Sequence, residues 1–188
     1  MSEERLTRLT AALPALGLVL SLVLSEPPAV LLLSVSAILF HEMGHLCCFL
    51  LLGLPRPALA ANGTGVRLLP KLPLTPFEEG VIALGGPVFN LLASLLFFSL
   101  GGGFGALAGS LHLLYGLFNL LPFAATDGER ILRLFLGYFS PKAAKKTVLL
   151  LSRVLLTALF FFSLFLYYLT GYGLCGLFFS LFCYFSPE

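Results

Sequence analysis

What most constrains this chain is how little of it can face water. Six apolar runs, at about 9–25, 29–52, 79–100, 104–121, 147–169 and 171–185, follow one another with mostly short connections. A helix needs about 20 apolar residues to cross a ~30 Å hydrocarbon core, and the first five runs meet or approach that length. The sixth is short and follows the tight turn Thr170-Gly171-Tyr172-Gly173. Hydrophobic residues make up 59% of the 188 residues and charged residues only 11%, too few to cover a soluble domain. The expected fold is an all-α polytopic membrane protein with about six transmembrane helices, or five if the last run does not cross. It reads as a single domain over 1–188, with a core at 29–140 and accessory helices at 1–28 and 147–188. The run from about Leu9 to Leu24 lacks a small-residue cleavage site and reads as a retained span.

Charge sets the expected orientation. In the six-span reading all eleven Lys and Arg residues fall on one side or at that side's helix ends, while the opposite loops carry only Glu26. The positive-inside rule then makes the N-terminus and the two long loops cytoplasmic. One of those loops, 53–78, contains Asn62-Gly63-Thr64-Gly65, a strong turn signal. A short re-entrant β-hairpin after the second span is expected there, or else an irregular connector. Segment 129–146 mixes Arg130, Arg133, Lys142, Lys145 and Lys146 with large apolar residues. That pattern predicts an interfacial helix broken at Pro141, drawn to anionic headgroups, with no nucleic acid needed as a partner. Cys47, Cys48, Cys175 and Cys183 all sit in apolar runs without zinc-knuckle spacing and read as small core residues.

Against this apolar background one hexapeptide stands out: Phe40-His41-Glu42-Met43-Gly44-His45, inside the second run. On a helix, positions i and i+4 share a face, so His41 and His45 can present two imidazoles to one metal ion. Glu42 lies off that row, where it can reach a water as general base. Three ionisable groups in a membrane helix are costly and are normally functional. Zinc suits imidazole and carboxylate ligands, and a catalytic site needs a third protein ligand with one position open. Asp127 is the only aspartate of the chain and the candidate for that place. Pro122 is expected to break the fourth span before it, and Gly128 relieves the backbone beside it. The competing reading of Asp127 is an N-cap for a helix over 129–139. Asn90 and Asn119 are candidates for binding substrate or an oxyanion, with interhelical hydrogen bonding as the plainer role. His112 shares a helical face with Asn119 but lies toward the outer side and is not expected to touch metal or substrate. Gly85 and Gly86 are read as allowing close helix packing.

With His41-Glu42-Met43-Gly44-His45 on an early span and Asn119, Pro122, Asp127 and Gly128 on a later one, the chain resembles the site-2 protease family of intramembrane metalloproteases. The intervening Gly85-Gly86-Pro87-Val88-Phe89-Asn90 is similar to that family's glycine-proline-asparagine motif. The resemblance covers about 29–140. It implies one zinc ion per chain held by His41, His45 and Asp127, with Glu42 as the catalytic glutamate and a transmembrane protein as substrate. Ala124 departs from the pattern, standing where a second proline is expected. Compact size and cytoplasm-facing loops look most like the bacterial sporulation branch, whose members release a sigma factor from a membrane-tethered precursor. That implies a multi-pass protein of a bacterial cell membrane, with the active site reached from the cytoplasm. A membrane regulatory protein is a further candidate partner.

Two rivals remain at this point. A non-proteolytic metal-binding membrane protein, such as a transporter or partner-binding scaffold, keeps the three ligands but has no need of Glu42. A purely structural scaffold binds no metal. For the protease, a helical substrate must unwind before attack, and strand pairing with the 57–73 hairpin is one expected way to hold it.

Overall fold

The computed structural model describes residues 16–17, 19–55, 57–62, 65–123, 126–171 and 173–185. Residues 19–25 are helical and are called α1. Then come α2 (Pro28–Leu51), β1 (Ala58–Asn62), β2 (Gly65–Leu69), α3 (Pro76–Leu100), α4 (Gly102–Asn119), α5 (Asp127–Gly137), α6 (Pro141–Thr170) and α7 (Leu174–Phe185). Part of the first apolar run, together with Arg5, Arg8, Arg56 and Ala124, lies outside the described residues.

Helix starts follow local chemistry. Pro28, Pro76 and Pro141 open α2, α3 and α6, where a missing N–H costs no helical bond. Thr75 caps α3 in a reciprocal box: the Glu78 N–H donates to Thr75 Oγ1 at 3.3 Å, and the Thr75 N–H donates to Glu78 Oε2 at 2.7 Å. This box starts α3 three residues before the apolar run does. At the far end, Gly171 closes α6 in the left-handed conformation, φ 75°. The basic segment divides earlier than Pro141: α5 already ends at Gly137, and Pro141 is the first residue of α6.

The centre of the fold is α2 against α3, with α4 packed on both. Small residues let the backbones meet. A Cβ on Gly44 would overlap the Gly85 carbonyl, and one on Gly85 would lie 2.6 Å from Cys48 Sγ. A Cβ on Gly116 of α4 would lie 3.1 Å from Asn90 Cβ on α3. Such close approach is how helices associate where lipid removes the hydrophobic drive between them. Outside this centre α5 bridges α3 and α6, and α7 folds back on α6. Phe123, Leu156 and Cys183 form a second cluster there, flanked by Phe118, Phe179 and Phe182. All four cysteines are free.

The expected fold class needs correction. Among the described residues three helices, not about six, are long and apolar enough to cross a membrane: α2, α3 and α6. Eighteen-residue α4 carries five glycines with His112 and Asn119, which dilute its apolar character. Twelve-residue α7 extends only about 18 Å at 1.5 Å per residue. The described part of α1 is shorter still. Nor is the chain all-α. β1 and β2 pair antiparallel, Ala58 opposite Leu69 and Asn62 opposite Gly65, and the pair connects α2 to α3. Large apolar side chains stand exposed on all three long helices, among them Leu32 at 72%, Leu95 at 68% and Phe161 at 62%. Apolar helices with such faces belong in a lipid-bilayer context.

Candidate metal centre

His41, Glu42 and His45 lie on one turn of α2, a helix without a break. His41 and His45 are 4% and 8% exposed, while Glu42 is half-buried. The two imidazole rings stand perpendicular, with centroids 4.7 Å apart. One potential ligand atom from each of the three residues falls within 4.8 Å of the others.

Asp127 arrives from elsewhere. It is the first residue of α5, and Thr126 takes the N-cap position instead. Leu120 and Leu121 turn away from the end of α4, and the Thr126 hydroxyl donates to the carbonyls of Leu121 and Phe123. Gly128 lets this segment close: a Cβ there would overlap the Leu120 carbonyl. Further along α5, Arg130 Nε donates to Glu79 Oε1 of α3 at 2.7 Å. With α5 tied down on both sides, Asp127 Oδ2 sits 2.9 Å from His41 Nε2 and 3.3 Å from His45 Nε2.

That oxygen is buried, yet it has no partner in hydrogen-bond geometry. An orphaned carboxylate oxygen facing two imidazole nitrogens is costly unless a cation lies between them. A tetrahedral zinc with bonds of about 2.0–2.1 Å separates its ligand atoms by about 3.3 Å, close to the spacings here. Space is reserved as well. A Cβ on Gly86 of α3 would lie 2.6 Å from His45 Nε2 and 2.7 Å from His41 Nε2, so only glycine fits behind the two ring nitrogens. The residues present fit a divalent metal ion.

No family model and no curated protein matches the sequence. Among solved structures, the fold is similar to the site-2 protease from Methanocaldococcus jannaschii, with a TM-score of 0.65 over 94% of this chain and 85% of that one, at 19% identity. This is a site-2 protease fold. Nothing in the likeness selects the sporulation branch.

Within the site-2 protease fold the two asparagines differ in placement. Asn90 is fully buried, its side-chain amide between His41 and His112. Asn119 ends α4, where its Nδ2 donates to the Tyr115 carbonyl at 2.9 Å within its own helix. Three neighbours of the histidines are not apparent as such from the sequence. Tyr115 presents its ring edge-on to His41 at 5.3 Å; its spacing of four from Asn119 is the available signal. Gly86 does more than allow packing, since it lies directly behind the His41 and His45 Nε2 atoms. His112, not expected to touch metal or substrate, is wholly buried and one side chain away from His41.

Proposed function

We propose that this chain is an intramembrane zinc endopeptidase that cuts a membrane-tethered protein within or near its transmembrane segment. The observation that carries the reading is the Asp127 oxygen brought from α5 to within 3.3 Å of both α2 imidazoles and left without a hydrogen bond. His41, His45 and Asp127 would hold the metal. Zinc bound there supplies Lewis-acid polarisation of the scissile carbonyl and lowers the pKa of water to about 7. Glu42 brings a carboxylate oxygen within 4.8 Å of a ring nitrogen of each histidine, which suits a general base. It takes a proton from the attacking water and returns it to the departing amine. The fold likeness supports the same reading, since the similar structure is that of a site-2 protease.

Burial of the histidines beside three long apolar helices supports a substrate that lies in the membrane. The one-sided charge pattern supports a multi-pass protein with a cytoplasmic N-terminus, opening its site to the cytoplasm. A sigma-factor precursor is one member of the substrate class this describes.

The test is Glu42→Gln. In intact cells the variant is expected to bind zinc as wild type does and to lower cleavage by about 10²–10⁴-fold, the usual share of a general base. Quantitative proteomics then finds a membrane protein that accumulates uncut. Unchanged processing in Glu42→Gln cells overturns the protease reading and leaves a metal-binding membrane protein.

A further inference from the structure

A metal-binding imidazole must offer a bare nitrogen to the ion, so its other nitrogen must carry the proton and needs an acceptor. For His45 the acceptor is backbone: Nδ1 lies 2.7 Å from the Ile82 carbonyl. A carbonyl only accepts, so Nδ1 donates and Nε2 is left bare toward Asp127. Among the described residues His41 Nδ1 has no such carbonyl. It lies 3.4 Å from Asn90 Nδ2 as the amide is placed, and Asn90 Oδ1 lies 3.0 Å from His112 Nδ1. His112 Nε2 lies 3.5 Å from Ser36 Oγ, and Ser36 Oγ donates to the Leu33 carbonyl at 2.7 Å.

The amide oxygen and nitrogen of Asn90 have the same shape, so the network decides which faces which histidine. With the nitrogen toward His41, Nδ1 accepts and the ring proton sits on Nε2, pointing into the metal site. His112 Nδ1 then donates to Asn90, and its buried Nε2 must accept. The Ser36 hydrogen is already given to Leu33 at the shorter distance, so that acceptor goes unpaired. With the oxygen toward His41 every proton has a place. His41 Nδ1–H donates to Asn90 Oδ1, and Asn90 Nδ2 donates to His112 Nδ1. His112 Nε2–H in turn donates to Ser36 Oγ, which passes its own hydrogen to Leu33. All the donors point away from the metal site, and the chain ends on a carbonyl that can only accept.

We propose that Asn90, locked by His112 and Ser36, is a positioning unit that holds His41 with its proton on Nδ1 and its Nε2 bare for the metal. His112 and Asn90 are both 0% exposed. Phe40 and Phe97 pack on the His112 ring at 5.2 and 5.1 Å, so the unit is walled by apolar rings. Helices α2, α3 and α4 each contribute a member, which couples the ligand's proton to the packing of all three.

The inference rests on the zinc reading, and the experiment separates the two. Zinc affinity is measured on the purified full chain in detergent by competition with a chromophoric chelator, alongside the Tm of the metal-free protein. Wild type is expected to bind one zinc. Asn90→Leu is expected to lose about 10–100-fold in affinity, the usual cost of removing an orienting partner, and Asn90→Asp, which keeps an acceptor for Nδ1–H, to recover most of it. His112→Leu is expected to lose several-fold, about 3–10, and His112→Gln, whose carbonyl oxygen accepts from Asn90, to restore it. A purely packing role moves the Tm and leaves affinity unchanged, with the polar replacements no better than leucine; that result overturns the proposal while wild type still binds zinc. A wild type that binds no zinc overturns the metal reading itself. If Asn90→Leu does not fold, the His112 pair and Asn90→Asp decide between the same two outcomes.

Discussion

The α2–α3–α4 centre and the α6–α7 pair are both buried helix contacts, but they are built from different materials. At the centre, glycines bring backbones together and the polar side chains His41, His45, Asn90, Ser94 and His112 are enclosed beside apolar ones such as Phe49 and Ile82. His41, His45, Asn90 and His112 have identified partners at defined distances. Along α6 and α7 the cluster consists of Phe123, Leu156, Cys183 and neighbouring leucines and phenylalanines. Those contacts tolerate exchange of one apolar shape for another. The difference suggests that precision is concentrated where ligand atoms must meet, and that α6 and α7 serve as a clamp. Phe123 is the link between the two, because it belongs to the segment that leads into Asp127 and yet packs on Phe118 at 5.3 Å and Phe179 at 6.3 Å.

The largest expected effect breaks the division at that link. Phe123→Ala empties the clamp and is expected to cost about 3–5 kcal/mol of stability. It is expected to lower zinc affinity too, because the Asp127 segment loses its anchor. Denaturation in detergent and chelator competition measure the two losses. If stability falls and affinity does not, the clamp and the centre are independent. The next largest effect lies wholly inside the centre. Gly86→Ala puts a methyl group against both ring nitrogens and is expected to weaken zinc binding about 100-fold or more, since ligands must be held within about 0.5 Å. Gly103→Ala is its control: a Cβ there meets nothing within 4 Å.

The same division explains what can be read from sequence. The i, i+4 spacing of His41 and His45 is a local property of one helix, and it fixes their shared face whatever the fold. Asp127 is singled out as the only aspartate and by the resemblance in motif order rather than by periodicity, and Thr126 rather than Asp127 takes the capping position. Gly86, Tyr115 and His112 are illegible as site neighbours because each reaches the histidines from another helix, and crossing geometry leaves no mark in periodicity. The span count fails for a related reason. Gly116 and His112, which meet α3, belong to the same glycine-rich and polar set that, with Asn119, makes α4 too polar to stand as a span by composition. The capping box Thr75-Pro76-Phe77-Glu78 is legible in principle and accounts for the early start of α3.

Smaller effects sharpen the comparison by acting on one region alone. In α7, a Cβ on Gly176 would run into Ser163 Oγ of α6. Gly176→Ala is therefore expected to cost about 1–3 kcal/mol as an overpacking change, with zinc affinity unaltered. A fall in affinity would mean that strain in the clamp reaches the metal ligands.

The smallest effect concerns the tie between α3 and α5. Arg130 and Glu79 are 30% and 28% exposed in their side chains, so the pair is partly screened and contributes about 0.2–1 kcal/mol. Its geometric role is larger than that figure suggests, because Arg130 lies three residues after Asp127 and holds the first turn of α5 against the helix that carries Gly86. Arg130→Gln is expected to shift the Tm only slightly. It is expected to weaken zinc binding a few-fold, more at low salt than at high salt, since wild type loses the same attraction as ionic strength rises. Titrating zinc into both proteins at two salt concentrations distinguishes this from a purely structural tie, which lowers the Tm and leaves the salt dependence of binding identical.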